Sequence, residues 1–212
     1  MPNIYYEILA GSRSYGLNIP DSDIDICRVT DFWDLTSHDG NIHFIQMPRE
    51  EFVSRTLCKR DSVYYLQWMF PAKVNTPGEI ERFIMENREQ IILAQPKRIL
   101  ELHMTAADGF ALYPEHYYSR FPKRVAYSTL FYDTVARYAT GIPFAEAIRP
   151  EEDLRQQLLA MRLHEMPLEE AVKLNENSKR RALAVADWYD VPADNKMLMV
   201  YEKELTELCG LS

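Results

Sequence analysis

With 47% hydrophobic and 26% charged residues, this 212-residue chain has the composition of an ordinary globular protein, enough for one to two small domains with a real core. Its formal net charge of −8 argues against broad nucleic-acid binding as the main task, because phosphate contacts would set the affinity there, but it leaves room for local basic patches. No apolar run approaches a membrane span and no basic-then-apolar stretch opens the chain; Cys27, Cys58 and Cys209 lack metal-like spacing, so a cytoplasmic protein with free thiols and no signal peptide is expected.

Ile4 to Leu9 predicts the first strand, because Ile4, Tyr5, Tyr6, Ile8 and Leu9 favour extended backbone. Gly11 ends it and permits a sharp turn with close approach of a ligand to the main chain. After such a turn, backbone N–H groups and the hydroxyls of Ser12 and Ser14 are available to a phosphate. Asn18, Pro20 and Asp21 signal a second turn, and Asp23 to Val29 predicts the next strand. Alternation along it puts Asp23, Asp25 and Cys27 on one face, Ile24 and Ile26 on the other. Asn41 to Met47 reads as a further strand.

The pattern changes around Asn75-Thr76-Pro77-Gly78, where Thr76 is expected to cap a helix with Pro77 at its first position. Ile80, Phe83, Ile84 and Ile91 follow helical spacing. A helix rich in Tyr and Phe is expected from near residue 124 to Gly141. Another opens at Pro150 with Glu151, Glu152 and Asp153 and carries Leu154, Leu158 and Met161 on its apolar face. Pro167 opens the next, to about Tyr189, and Met197, Val200, Tyr201, Leu205 and Leu208 mark the last. The fold class is therefore expected to be α+β: a small mixed β-sheet core over 1–75, followed by a helical part over 76–212.

Two carboxylates on one strand face, one residue apart, stand roughly 6–7 Å apart at Cα, so their oxygens can converge on one hard cation. Mg²⁺ takes a few carboxylates and completes its shell with water and phosphate oxygens. Asp is disfavoured in strands, so its appearance at alternating positions calls for a reason beyond folding. A small-residue turn joined to paired acids points to transfer chemistry on a nucleoside triphosphate. In two-metal transfer, one ion activates the attacking oxygen and the other steadies the leaving pyrophosphate.

The run Gly11-Ser12-Arg13-Ser14-Tyr15-Gly16-Leu17, followed by Asp21-Ser22-Asp23-Ile24-Asp25, resembles the signature of the DNA polymerase β nucleotidyltransferase superfamily. Within it, the chain is most similar to the branch of predicted nucleotidyltransferases linked to RNA repair. Asp61 to Phe70 before Pro71 looks like a helix of that branch. Ile148-Arg149-Pro150, Leu158, Arg162 and Leu168-Glu169-Glu170-Ala171 look like its C-terminal helical part.

The resemblance implies a nucleotidyltransferase core over 1–75 and an acceptor-side domain over 76–212. It makes Asp23 and Asp25 catalytic metal ligands for Mg²⁺, with Mn²⁺ as an alternative. It gives Gly11, Ser12, Arg13, Gly16 and Ser22 to the nucleotide, with Ser12 near the β- and γ-phosphates and Gly16 shaping the loop. The superfamily takes a third carboxylate from a later strand as general base. Here His43 stands in that position in one register, while shifted registers offer Asp39 or Asp61. A neutral imidazole takes a proton near neutral pH, but is a poor Mg²⁺ ligand.

Two basic clusters are candidates for contact with an RNA end: Arg120, Lys123 and Arg124, interleaved with Tyr117, Tyr118, Phe121 and Tyr127, and then Lys179, Arg180 and Arg181. The expected activity is transfer of a nucleoside monophosphate from an NTP to an acceptor hydroxyl of RNA (a tRNA or other RNA end), protein or a small molecule. The alternative is a weakened or inactive relative that binds a nucleotide or a protein.

Overall fold

The computed structural model describes residues 3–32, 34–60, 63, 65–186 and 190–211. In chain order these form strand β1 (Tyr6–Leu9), a 3-10 turn (Gly11–Tyr15), β2 (Ile24–Thr30), β3 (Asp34–Asp39), β4 (Ile42–Pro48), α1 (Arg49–Thr56), α2 (Tyr65–Met69), β5 (Lys73–Val74) and α3 (Glu79–Leu93). Then follow α4 (Pro96–Phe110), α5 (Pro114–Tyr118), α6 (Pro122–Ala139), α7 (Phe144–Ala147), α8 (Glu152–Arg162), α9 (Leu168–Ala186) and α10 (Asn195–Leu208). The fold is α+β, with a small mixed sheet near the N-terminus followed by helices, as the sequence pattern leads one to expect.

The chain divides into two compact units. One comprises residues 1–15, 20–95 and 193–212; the other comprises 16–19 and 96–192. The strands do end close to residue 75, but α3 stays with the sheet unit, in contact with α2 and α10. The last helix, α10, returns to that unit as well.

In the sheet unit the strand order is β3-β4-β2-β1-β5. Strands β2 and β4 run parallel, and the other neighbours are antiparallel. A two-residue turn at Gly40-Asn41, with Gly40 at φ +62°, joins β3 to β4, as tight hairpins require. Pairing of Tyr6 with Val29, Ile8 with Cys27 and Val29 with Met47 sets these side chains on one face, and all five are buried. Phe52 of α1 and Trp68 of α2 close over Tyr6, with Phe52 and Trp68 edge to face at 5.2 Å. On the other face Glu7 sits opposite Arg28 and pairs with it, and the Arg28 guanidinium lies 4.1 Å over the Phe44 ring.

Two local expectations are corrected. Thr76 does not cap α3; its Oγ1 accepts the Glu7 N–H at 2.7 Å, and the helix begins at Glu79 after an extended Gly78 with no side-chain cap. Pairing with β1 carries on past β5 through Asn75, whose N–H reaches the Glu7 carbonyl, so the Thr76 hydroxyl is spent on the sheet. On α10, Leu205 is buried but Val200 is 62% exposed. At 100° per residue Val200 sits about 140° around the helix from Leu205, away from the stripe of Met197, Tyr201 and Leu205.

The helical unit is organised on α6, which packs against α4, α8 and α9 and buries residues on all sides. Several of its buried polar groups are satisfied at close range. Thr129 and Thr134 donate to carbonyls one turn back, and Asn175 of α9 donates to Ser128 Oγ and Thr129 Oγ1, each at 3.0 Å. His103 of α4 is buried between the rings of Phe131 and Phe144.

Candidate active site

The site is assembled where β2 begins. Parallel pairing sets Asp25 of β2 opposite His43 of β4, and the Ile24 N–H fixes this end by donating to the Asn41 carbonyl at 2.9 Å. Asp23, the expected first residue of the strand, lies one residue before its observed start at Ile24. The His43 ring is set between the two acids: Nδ1 is 3.7 Å from Asp25 Oδ1, and Nε2 is 3.8 Å from Asp23 Oδ1. Both separations exceed a hydrogen bond. The Asp23 side chain is 47% exposed and that of Asp25 18%, so the outer acid faces solvent while the inner one is seated against protein.

What Asp25 is seated against is Gly11. This glycine takes φ +69°, and a Cβ built on it would fall 1.9 Å from Asp25 Oδ2 and 2.8 Å from Cγ. The turn lies directly on the carboxylate, and only a residue without a side chain allows it. The Ala10 N–H donates to the Asp25 carbonyl at 2.8 Å and holds the end of β1 in place for that contact. Arg13 turns back to donate from Nη1 to the Asp23 carbonyl at 2.8 Å. Its guanidinium therefore braces the segment that carries the acids, a role with no local signature in the sequence.

Of the other residues expected at a nucleotide, Ser12 and Ser22 are buried. Ser14 Oγ is buried and has no hydrogen-bond partner among the described residues. A 3-10 turn leaves its first N–H groups without partners inside the turn. Gly16 falls in the short stretch that belongs to the helical unit, where a Cβ built on it would meet Arg155 Cδ at 3.9 Å.

The register also sorts the alternatives for the third position. Asp39 pairs with Ile42, one residue before His43, which directs it to the face opposite Asp25 and His43. Asp61 lies outside the described residues. Cys27, next inward from Asp25, is buried with its thiol directed at Gln67 Oε1. Burial first, and then the Asp25 charge, push its pKa up to about 12, which keeps the thiol protonated.

Among the described residues no three His, Cys, Asp or Glu side chains are gathered into a ready-made metal cage. The donors present suit an ion that brings part of its shell with it. One exposed carboxylate, Asp23, and a second, Asp25, seated against a glycine cradle fit Mg²⁺ arriving with a phosphate chain.

The two basic clusters part company. Lys179 pairs with Asp108 at 2.6 Å, Arg181 pairs with Asp133 at 2.9 Å, and Arg180 bonds Asn177, so the second cluster is engaged within the helical unit. In the first, Tyr118 and Tyr127 are buried, whereas Phe121 is exposed. Among the described residues no helix is long and apolar enough to cross a membrane. Comparison of the chain with family models, with curated proteins and with solved structures gave no match.

Proposed function

We propose that the protein is a metal-dependent nucleotidyltransferase that moves a nucleoside monophosphate from an NTP to an acceptor hydroxyl and releases pyrophosphate. The observation that carries this reading is the contact of Gly11 with the Asp25 carboxylate: the small-residue turn and the acidic strand, separate in sequence, form one surface. A phosphate chain lying on the turn is thereby next to the pair of acids that suits its cation.

In this reading Asp23 and Asp25 hold the divalent ion, which when bound supplies charge stabilisation at the reacting phosphate. Gly11 and the turn after it receive the triphosphate through backbone N–H groups. The acceptor oxygen attacks the α-phosphorus, and the bond from that phosphorus to the oxygen bridging to the β-phosphate breaks. Pyrophosphate leaves with that electron pair, and the acceptor proton passes to the His43 imidazole. Arg13 keeps Asp23 in position through its carbonyl. The acceptor can be an RNA 3′ end, a protein hydroxyl or a small molecule.

The test is incubation of the protein with labelled NTPs, Mg²⁺ or Mn²⁺ and a pool of tRNA, with label followed in RNA, protein and small-molecule fractions. Transfer that vanishes in Asp23→Ala and Asp25→Ala supports the reading. His43→Ala should slow transfer by about 100-fold or more while Mn²⁺ binding, read by electron paramagnetic resonance, persists. Metal-independent nucleotide binding with no labelled product in any fraction overturns the enzyme and leaves a binding module.

A further inference from the structure

The helical unit carries a surface that its own core does not explain. Between the end of α4 and the first turn of α6, Leu112, Tyr113 and Phe121 are 57%, 56% and 52% exposed. Three large hydrophobic side chains are left in solvent within ten residues. Their backbone is fixed rather than slack. The Tyr113 carbonyl accepts from His116 and Tyr117, and the Tyr117 carbonyl accepts from Arg120 and Phe121.

Charge distinguishes this surface from a plain apolar patch. Residues 112–124 hold three cations, Arg120, Lys123 and Arg124, against one carboxylate, Glu115, in a chain whose net charge is −8. Arg120 and Lys123 are exposed, and among the described residues neither has an ion-pair partner. Arg124 lies 4.5 Å over the Tyr117 ring and donates to the Gly109 carbonyl, an arrangement that already stacks a planar cation on an aromatic face. Glu115 is beside His116, at 3.8 Å.

We propose that this surface binds single-stranded nucleic acid, with unpaired bases stacking on Tyr113 and Phe121 and the phosphates meeting Arg120 and Lys123. Exposed rings next to unpaired cations match a polymer that alternates flat faces with negative charges. A duplex has its bases already stacked on one another and offers the rings nothing. As the acceptor of the transfer reaction, such a strand rests on the function proposed above; as a ligand of the helical unit it does not.

The experiment is fluorescence anisotropy with the full chain and 5′-labelled twelve-nucleotide oligouridine, oligothymidine and a duplex of equal length, at several salt concentrations. Single strands should bind at least tenfold more tightly than the duplex. RNA favoured over DNA identifies the sugar as part of recognition, and equal binding identifies stacking that ignores it. Tyr113→Ala with Phe121→Ala should weaken binding by tenfold or more. Arg120→Ala with Lys123→Ala should lower the salt slope by about 1.4, or about 0.7 for each lost phosphate contact. Arg180→Glu, a charge reversal on α9 outside residues 112–124, should stay within twofold. Far-ultraviolet circular dichroism checks that each variant is folded, which exposed positions favour. Asp25→Asn separates the two readings, since it should stop transfer and leave strand binding intact. Ring and cation variants that bind as the unmodified chain does, or a duplex bound as tightly as a single strand, overturn the proposal.

Discussion

Replacing Gly11 by alanine adds one methyl group at the point where the turn meets the acidic strand. That methyl would stand 1.9 Å from Asp25 Oδ2, 2.8 Å from Cγ and 3.1 Å from Cβ. The carboxylate would have to retreat by about 1.5 Å to reach ordinary van der Waals separation, and the close Asp25 Cβ limits how far rotation alone can help. Overpacking of this kind costs about 1–3 kcal/mol. Holding an alanine at φ +69° adds about 1–2 kcal/mol, while the stiffer unfolded chain returns about 0.4–1 kcal/mol. A net loss of about 1–5 kcal/mol is expected from urea denaturation. The double variant Gly11→Ala with Asp25→Ala should recover the part due to Oδ2 and Cγ, but not the backbone strain. The cycle should therefore show a coupling of about 1–3 kcal/mol. At the site, the displaced carboxylate should weaken Mn²⁺ binding although no ligand has been removed. Gly11→Ala within about 0.5 kcal/mol of the unmodified protein, with an additive cycle, would refute the contact.

Three further outcomes concern the helical unit. Burial holds the His103 pKa down to about 4, with the Ile99 carbonyl only partly opposing it, whereas the unfolded chain protonates near 6.5. Between those values the unfolded state binds the extra proton, so stability should fall as pH drops from about 6.5 to about 4, by up to about 3 kcal/mol; His103→Leu should remove that part of the pH dependence, and an unchanged slope in denaturant titrations would count against it. Asn175→Ala deprives Ser128 and Thr129 of their shared donor and should cost about 1–3 kcal/mol in a thermal melt, a loss below about 0.5 kcal/mol showing the bonds to be dispensable. His164 occupies the left-handed position after α8 at φ +58°, so His164→Gly should raise stability by about 0.5–1 kcal/mol, and a lower melting temperature would show that its ring contact with Tyr118 outweighs the strain.

How much of this was legible in the sequence depends on the range of the force concerned. Alternation along a strand is local, so the shared face of Asp25 and Cys27 can be read from spacing alone. His43 is one of three candidates, with Asp39 and Asp61, because the sequence leaves the strand register open; the parallel pairing of β2 with β4 is what sets it opposite Asp25. Thr76 failed for another reason: a Thr-Pro-Gly run carries a capping signal, yet a more distant partner, the Glu7 N–H, claimed the hydroxyl. Arg13 and Gly11 lie between these cases. A glycine before a serine says that the backbone turns sharply. It does not say that a carboxylate fourteen residues later rests against the missing side chain. Nor does an arginine in a turn announce that its target is the carbonyl of the acid rather than a phosphate. The same limit explains the division into units. Ile80, Phe83 and Ile84 show that α3 has a buried face but not what covers it, and its cover includes a helix that arrives a hundred residues later. The acids and the glycine were therefore readable as separate parts. Their contact, on which the proposed chemistry depends, is a property of the fold.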